Sequence, residues 1–279
     1  MLTKLSNSWE LVKASARVLQ ADKELMVFPA VSGLALLLVT ASFFLPVYFL
    51  AGGFVPEAGV SILGYVLVFL FYVVQYFVII FFNTALVGAA MIRLDGGDPT
   101  VADGLRIATQ RLGSILGYAV IAATVGMLLR TMKERAGALG KFVISLVGMA
   151  WNLATFLVVP VLVARNVGPI DAVKESAAVL KRTWGEQIAG NFGLGAVFAV
   201  AFFGLTVLAV PTLILTIGTG QPWLIATVVG VFIACYVLLA LVNASLAGIY
   251  SAALYRYATT GQTAMFDSRL LQGAFRPKG

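Results

Sequence analysis

The side chains best placed to do chemistry are polar groups set inside long apolar stretches: Gln75, Asn83, Asn152, Thr155, Asn191, Asn243 and Ser245. In such surroundings an amide or hydroxyl either bonds between helices, worth about 0.6 to 2 kcal/mol, or lines a polar path for a small solute. Asn83, Asn152, Asn243 and Gln75 are the candidates for an intramembrane polar cluster. Ser145, Ser245 and Cys235 are the nucleophiles on offer, and none has an activating base nearby in the sequence. The same stretches hold no Asp, Glu, Lys, Arg or His, the groups that serve proton relays, ion-coupled transport and acid–base catalysis. That argues against a pump and against a hydrolase, so no catalytic residue and no cofactor is expected. Asp95, Asp98 and Asp103 lie close together around DGGDP, but without a fixed ligand spacing they read as a turn and a helix N-cap. With no His and one Cys, the chain offers neither a soft-metal cluster nor a disulfide framework.

The elements that must position these residues follow from composition. Of 279 residues 61% are hydrophobic and 11% charged, the balance of an all-α integral membrane protein. Uncharged runs long enough to cross a hydrocarbon core of about 30 Å place six spans near 25–50, 60–92, 113–130, 142–164, 187–217 and 223–255, the last two divided by the GTGQP turn at 218–222. The longest must tilt or protrude. No cleavable signal is read in the first 24 residues, which carry seven charges. Lys and Arg number 15 on one set of alternate connections against 4 on the other, which puts both termini in the cytoplasm. All four minority charges lie in RTMKERAGALGK at 130–141, so residues 113–164 form either a full hairpin with a basic outer loop or one that crosses incompletely.

One octet is written twice, VKASARVL at 12–19 and VKESAAVL at 173–180, with a weaker version, LRIATQRL, at 105–112. Each copy precedes an odd-numbered span. In the first, Asn7 and Glu10 fit an N-cap and its N3 partner, while Trp9, Val12, Ala16 and Leu19 form an apolar stripe opposite Lys13 and Arg17. In the second, Ile170, Val173, Ala177, Leu180 and Trp184 make the stripe, opposite Lys174 and Lys181. The even spans echo one another as NTALVG at 83–88, NLATFL at 152–157 and NASLAG at 243–248, each followed 10 or 13 positions after its Asn by Arg93, Arg165 or Arg256. Together these predict a single membrane domain over 1–260, built of pseudo-repeats 1–92, 93–166 and 167–260, with a cytoplasmic tail at 261–279. Equivalent placement predicts that Asn83, Asn152 and Asn243 approach one another.

The octets read as interfacial helices, apolar stripe down and bases toward anionic headgroups. Trp9, Lys13, Arg17, Arg106, Lys174, Lys181, Arg182 and Trp184 are the candidate lipid contacts. Trp9, Trp151, Trp184 and Trp223 suit an aromatic belt. Small-residue steps such as Ala85 and Ala89, Gly113 and Gly117, or Ala244 and Gly248 read as close helix packing.

The N-terminal W-x-L-V-K-x-S-x-x-V-L with DKEL at 22–25, the segment VGPIDAVKESAAVLKRTWGE at 167–186 and the even-span Asn resemble a prokaryotic family of six-span membrane proteins defined only as a domain of unknown function. More loosely, the layout is similar to membrane domains attached to some glycerophosphodiester phosphodiesterases, without the phosphodiesterase domain. The resemblance implies a prokaryotic cytoplasmic membrane and no established activity. Two functions are expected from the residues: a non-enzymatic scaffold that binds anionic membrane lipids, or a protein partner or second copy, through its basic helices; or a permease or channel for a small uncharged solute lined by the Asn residues. Nucleic acid is not an expected partner.

Overall fold

The computed structural model describes residues 2–50, 62–184 and 193–261. Asn191 and residues 262–279 of the expected tail lie outside them. Among the described residues the secondary structure is helical throughout: α1 Leu2–Ala21, a 3-10 turn Lys23–Met26, α2 Val27–Leu50, α3 Ile62–Leu94, α4 Val101–Gln110, α5 Leu112–Arg135, α6 Ala138–Ala154, α7 Val158–Ala164, α8 Pro169–Trp184, α9 Gly193–Gly218 and α10 Pro222–Thr260. Six stretches are long and apolar enough to cross a membrane: α2 with its leading turn, α3, α5, α6 with α7, α9 and α10.

Local chemistry explains the boundaries. Gly220, at φ +67°, takes the left-handed turn between α9 and α10, and Pro222 opens α10 where its missing N–H costs nothing. Thr100 caps α4 in a reciprocal capping box with Asp103. Asn7, expected as a cap, instead lies inside α1, which starts more than a turn earlier; Glu10 pairs with Lys13 at 2.9 Å. The fourth span is also not the single helix expected over 142–164. It breaks at Thr155–Leu157, between α6 and α7. Pro160 supplies the reason, since it has no N–H to give the carbonyl four residues back and its ring crowds that carbonyl. The freed N–H of Leu157 donates instead to the buried Ser176 hydroxyl of α8, at 3.0 Å.

The central helix is α3, which touches α2, α4, α5, α7 and α10. Around it α4 packs on α3, α8 packs on α5, α6 and α7, and α1 packs on α9 and α10. Close approaches fall at small residues: Gly104 of α4 faces the Phe28 ring and the Ala85 carbonyl, Gly117 of α5 faces Pro169, and Gly248 of α10 faces Leu86. On α1 the protein-facing residues are Leu11, Val12, Ala14, Ser15, Val18 and Leu19, while Lys13 and Arg17 are exposed. The expected stripe is thereby corrected. Val12 and Leu19 are covered by the bundle, and Trp9 stands half exposed beside Lys13. On α8 the buried residues are Ala172, Ser176, Val179 and Leu180, whereas Ile170 is exposed.

The helix ends nearest α1, α4 and α8 are tied by polar contacts. Arg93, at the end of α3, donates to the Ala21 carbonyl at 2.8 Å and pairs with Asp98 at 3.3 Å. Arg165, after α7, pairs with Glu175 of α8 at 2.9 Å. Arg256, near the end of α10, pairs with Asp95, and Arg182 of α8 donates to the Ala258 carbonyl at 3.3 Å. The Val101 N–H donates to Glu24. These links place the three short helices at one end of the bundle.

Candidate functional site

Between α3, α5, the α6–α7 break and α10 lies a cavity of about 580 Å³. The sequence makes room for it with small residues on facing helices: Ala122 and Gly126 on α5, Gly148 on α6, and Ala244, Ala247 and Gly248 on α10. Larger side chains, Tyr76, Leu86, Tyr118, Trp151 and Phe156, close the rest of the wall. Asn83 and Asn152 both line it, as does Thr155 at the break. The Asn83 Oδ1 would stand 3.5 Å from a Cβ built at Gly248, so the amide lies against the α3–α10 crossing.

Of the four polar-cluster candidates the structure therefore brings two together. Asn243 is half-buried and does not line the cavity, although the next residue, Ala244, does. The helical step of about 100° between neighbours turns its side chain onto another face. Gln75 is elsewhere, donating to the Thr40 hydroxyl of α2 at 2.8 Å. This is an interhelical hydrogen bond of the ordinary kind.

The candidate lipid contacts fall outside the cavity. Lys13, Arg17, Arg106, Lys174, Lys181 and Arg182 are all exposed. Arg106 pairs with Asp103 at 2.6 Å and Lys174 with Asp171 at 3.5 Å. Trp184 closes α8 at the edge of the described residues. Trp151 lines the cavity, and Trp223 stands exposed at the start of α10. Of the nucleophile candidates, the Ser145 and Ser245 hydroxyls donate to carbonyls one turn back, and Cys235 is exposed on α10.

Electrostatics outside the spans concentrate where α1 meets α2. Asp22 is only 6% exposed. Burial raises its pKa above the usual carboxylate value, Arg93 opposes the rise, and Glu24 and Asp98 add to it. Asp103 behaves oppositely, its pKa lowered first by the Thr100 hydroxyl that bonds it.

Sequence reasoning missed the two tyrosines of the cavity wall and the serine link between α8 and the break. The signals for the link were present, in the identical Ser15 and Ser176 of the two octets and in Pro160 inside an apolar span.

The order of these elements, from α3 through α10, is covered by one family: residues 62–265 match the model of the family of unknown function DUF6159. The chain belongs to that family. The match includes the second octet and all three even-span Asn motifs; α1, α2 and the first octet lie before it. Comparison of this DUF6159 member with curated proteins and with solved structures finds no match.

Proposed function

We propose that this DUF6159 member is a non-enzymatic, multi-pass protein of a prokaryotic cytoplasmic membrane that binds anionic lipid through the outer faces of α1, α4 and α8. The observation that carries this reading is the gathering of those three helices at one end, inner faces buried in the bundle and bases outward. Each base near an anionic surface contributes about 1 kcal/mol, and Lys13, Arg17, Arg106, Lys174, Lys181 and Arg182 lie on the exposed sides. In this reading both termini are cytoplasmic. The packing of α4 on the second span, of α8 on the third and fourth, and of α1 on the fifth and sixth supports three units arranged in a ring, each short helix resting on the unit before it.

The test is reconstitution of the full chain in nanodiscs of neutral or anionic lipid. Anionic lipid is expected to raise the melting temperature, salt to weaken the gain, and glutamine at Lys13, Arg17, Lys174 and Lys181 to remove most of it. Equal melting in both lipids at all salt levels sinks the reading. The second reading, a permease for a small uncharged solute, draws on Asn83 and Asn152 sharing a cavity. Absence of solute flux through liposomes would exclude it, and flux that survives Asn83→Leu with Asn152→Leu would exclude those amides as the path.

A further inference from the structure

The cavity continues toward the far end of the bundle. Leu129, Gly148 and Asn152 also line a second space of about 490 Å³, and its walls include Arg130 and Lys133. On α5 the lining recurs at Tyr118, Ala122, Gly126, Leu129 and Lys133, steps of three or four that keep to one helix face. On α6 it recurs at Ser145, Gly148 and Asn152. The two spaces form one groove between α5 and α6, walled behind by α3 and α10.

Length and charge decide what fits. From Tyr118 to Leu129 the groove follows α5 for about 16 Å, close to the depth of one leaflet of a hydrocarbon core about 30 Å thick. Along that length its walls are mainly apolar. At its end the helix reaches its charged terminus, where Arg130 is held by Glu134 at 2.9 Å and by the Tyr72 hydroxyl, and Lys133 is exposed with no partner among the described residues. Glu134 offsets Arg130, so Lys133 carries the uncompensated charge. A free inorganic anion would use the bases and leave the groove unfilled; a zwitterionic phospholipid would fill the groove but bring its own cationic headgroup to a site that is already basic. We infer that the groove holds one acyl chain of an anionic phospholipid, with its phosphate at Lys133 and Arg130. This site lies at the opposite end from α1, α4 and α8 and does not depend on lipid binding there.

Trp151 in the wall provides the readout. With Trp9, Trp184 and Trp223 changed to Phe, the full chain is placed in phosphatidylcholine vesicles, and phosphatidylglycerol or phosphatidylcholine with brominated acyl chains is titrated in. Brominated phosphatidylglycerol is expected to quench Trp151 saturably, at a mole fraction at least ten-fold below that needed with the brominated neutral lipid. Arg130→Gln with Lys133→Gln should erase that difference, and Ala247→Phe, which fills the groove from an exposed position on α10, should remove the saturable phase. Glutamine at Lys13, Arg17, Lys174 and Lys181 should leave the quenching unchanged. Equal quenching by the two lipids overturns the inference, as does a preference that survives loss of both bases or vanishes with the bases of α1 and α8. If Ala247→Phe does not fold, the exposed Arg130 and Lys133 variant still decides the matter.

Discussion

Along α10, residues Ser245–Tyr255 are buried almost without interruption, whereas Trp223, Val231, Ile233, Val237 and Leu238 on the same helix expose large apolar side chains. The central helix divides in the same way, with Thr84–Ala90 buried and Ile62, Leu63, Tyr65 and Val66 exposed. Both halves are apolar, so hydrophobicity does not separate them. What separates them is side-chain size: the buried stretch reads SLAGIYSAALY and the exposed one WLIATVVGVFIACYVL. Lipid tails are as apolar as Leu, so helices gain little from hiding large side chains and associate where small ones let backbones approach. The end bearing α1, α4 and α8 is held by protein contacts, and the far halves of the spans are shaped to meet lipid.

The sharpest way to break this comparison is the same substitution in both halves. A Cβ at Gly104 would stand 2.5 Å from the Phe28 ring and 2.7 Å from the Ala85 carbonyl oxygen, while one at Gly230 meets nothing within 4 Å. The backbone oxygen cannot yield without moving α3. Gly104→Ala is therefore expected to cost about 3 kcal/mol, and Gly230→Ala to be neutral or to gain up to about 1 kcal/mol from helix propensity. Thermal unfolding in detergent measures both, and equal shifts would mean that the two ends are packed alike.

A smaller contrast lies within the packed end, between the two octets. Ser15 and Ser176 occupy the same place in their octets and both are fully buried. Ser176 accepts the Leu157 N–H, but the Ser15 hydroxyl has no partner among the described residues. Ser176→Ala leaves a buried N–H unsatisfied and is expected to cost about 1 to 3 kcal/mol. Ser15→Ala should be neutral or slightly stabilising. Equal losses in melting temperature would show that the repeated serine does the same work twice.

Smaller again is the cap of α4. Thr100→Ala removes the side-chain acceptor for the Asp103 N–H and should cost about 1 kcal/mol. Asp103→Asn should lose less than that in acid, where the carboxylate it replaces is itself protonated. An unchanged melting temperature for Thr100→Ala would show α4 to be held by its packing on α3 alone.

These elements differ in how far the sequence reveals them. The spans, the GTGQP turn and the three short helices are legible because charge and Gly–Pro placement interrupt apolar runs, and helix boundaries follow the interruptions. The orientation of the octets is not, because an apolar stripe looks the same whether protein or lipid covers it; Val12 and Leu19 meet the bundle. The cavity was half legible. Asn83 and Asn152 stand out as amides in apolar spans, but Asn243, with the same motif, lies one helical step off the wall. What creates the space is an absence of side-chain volume at Gly126, Gly148 and Ala247, and small residues in a membrane span read first as close packing.

The least expected effect concerns Asp22, where the packed end has buried a carboxylate whose Oδ2 has no hydrogen-bond partner among the described residues. Burial raises its pKa and outweighs the attraction of Arg93, with Glu24 and Asp98 adding to the rise. A carboxyl whose folded pKa lies above its unfolded value contributes its stability in full below the unfolded value, about 4. That contribution is lost as pH rises through the folded value. Asn at this position stays neutral throughout. Asp22→Asn should therefore match the wild type near pH 4 and gain on it as pH rises toward 8, read as the difference between their melting temperatures at each pH. If the wild type gains on the variant instead, the attraction of Arg93 outweighs burial, and this corner of the packed end is held by charge.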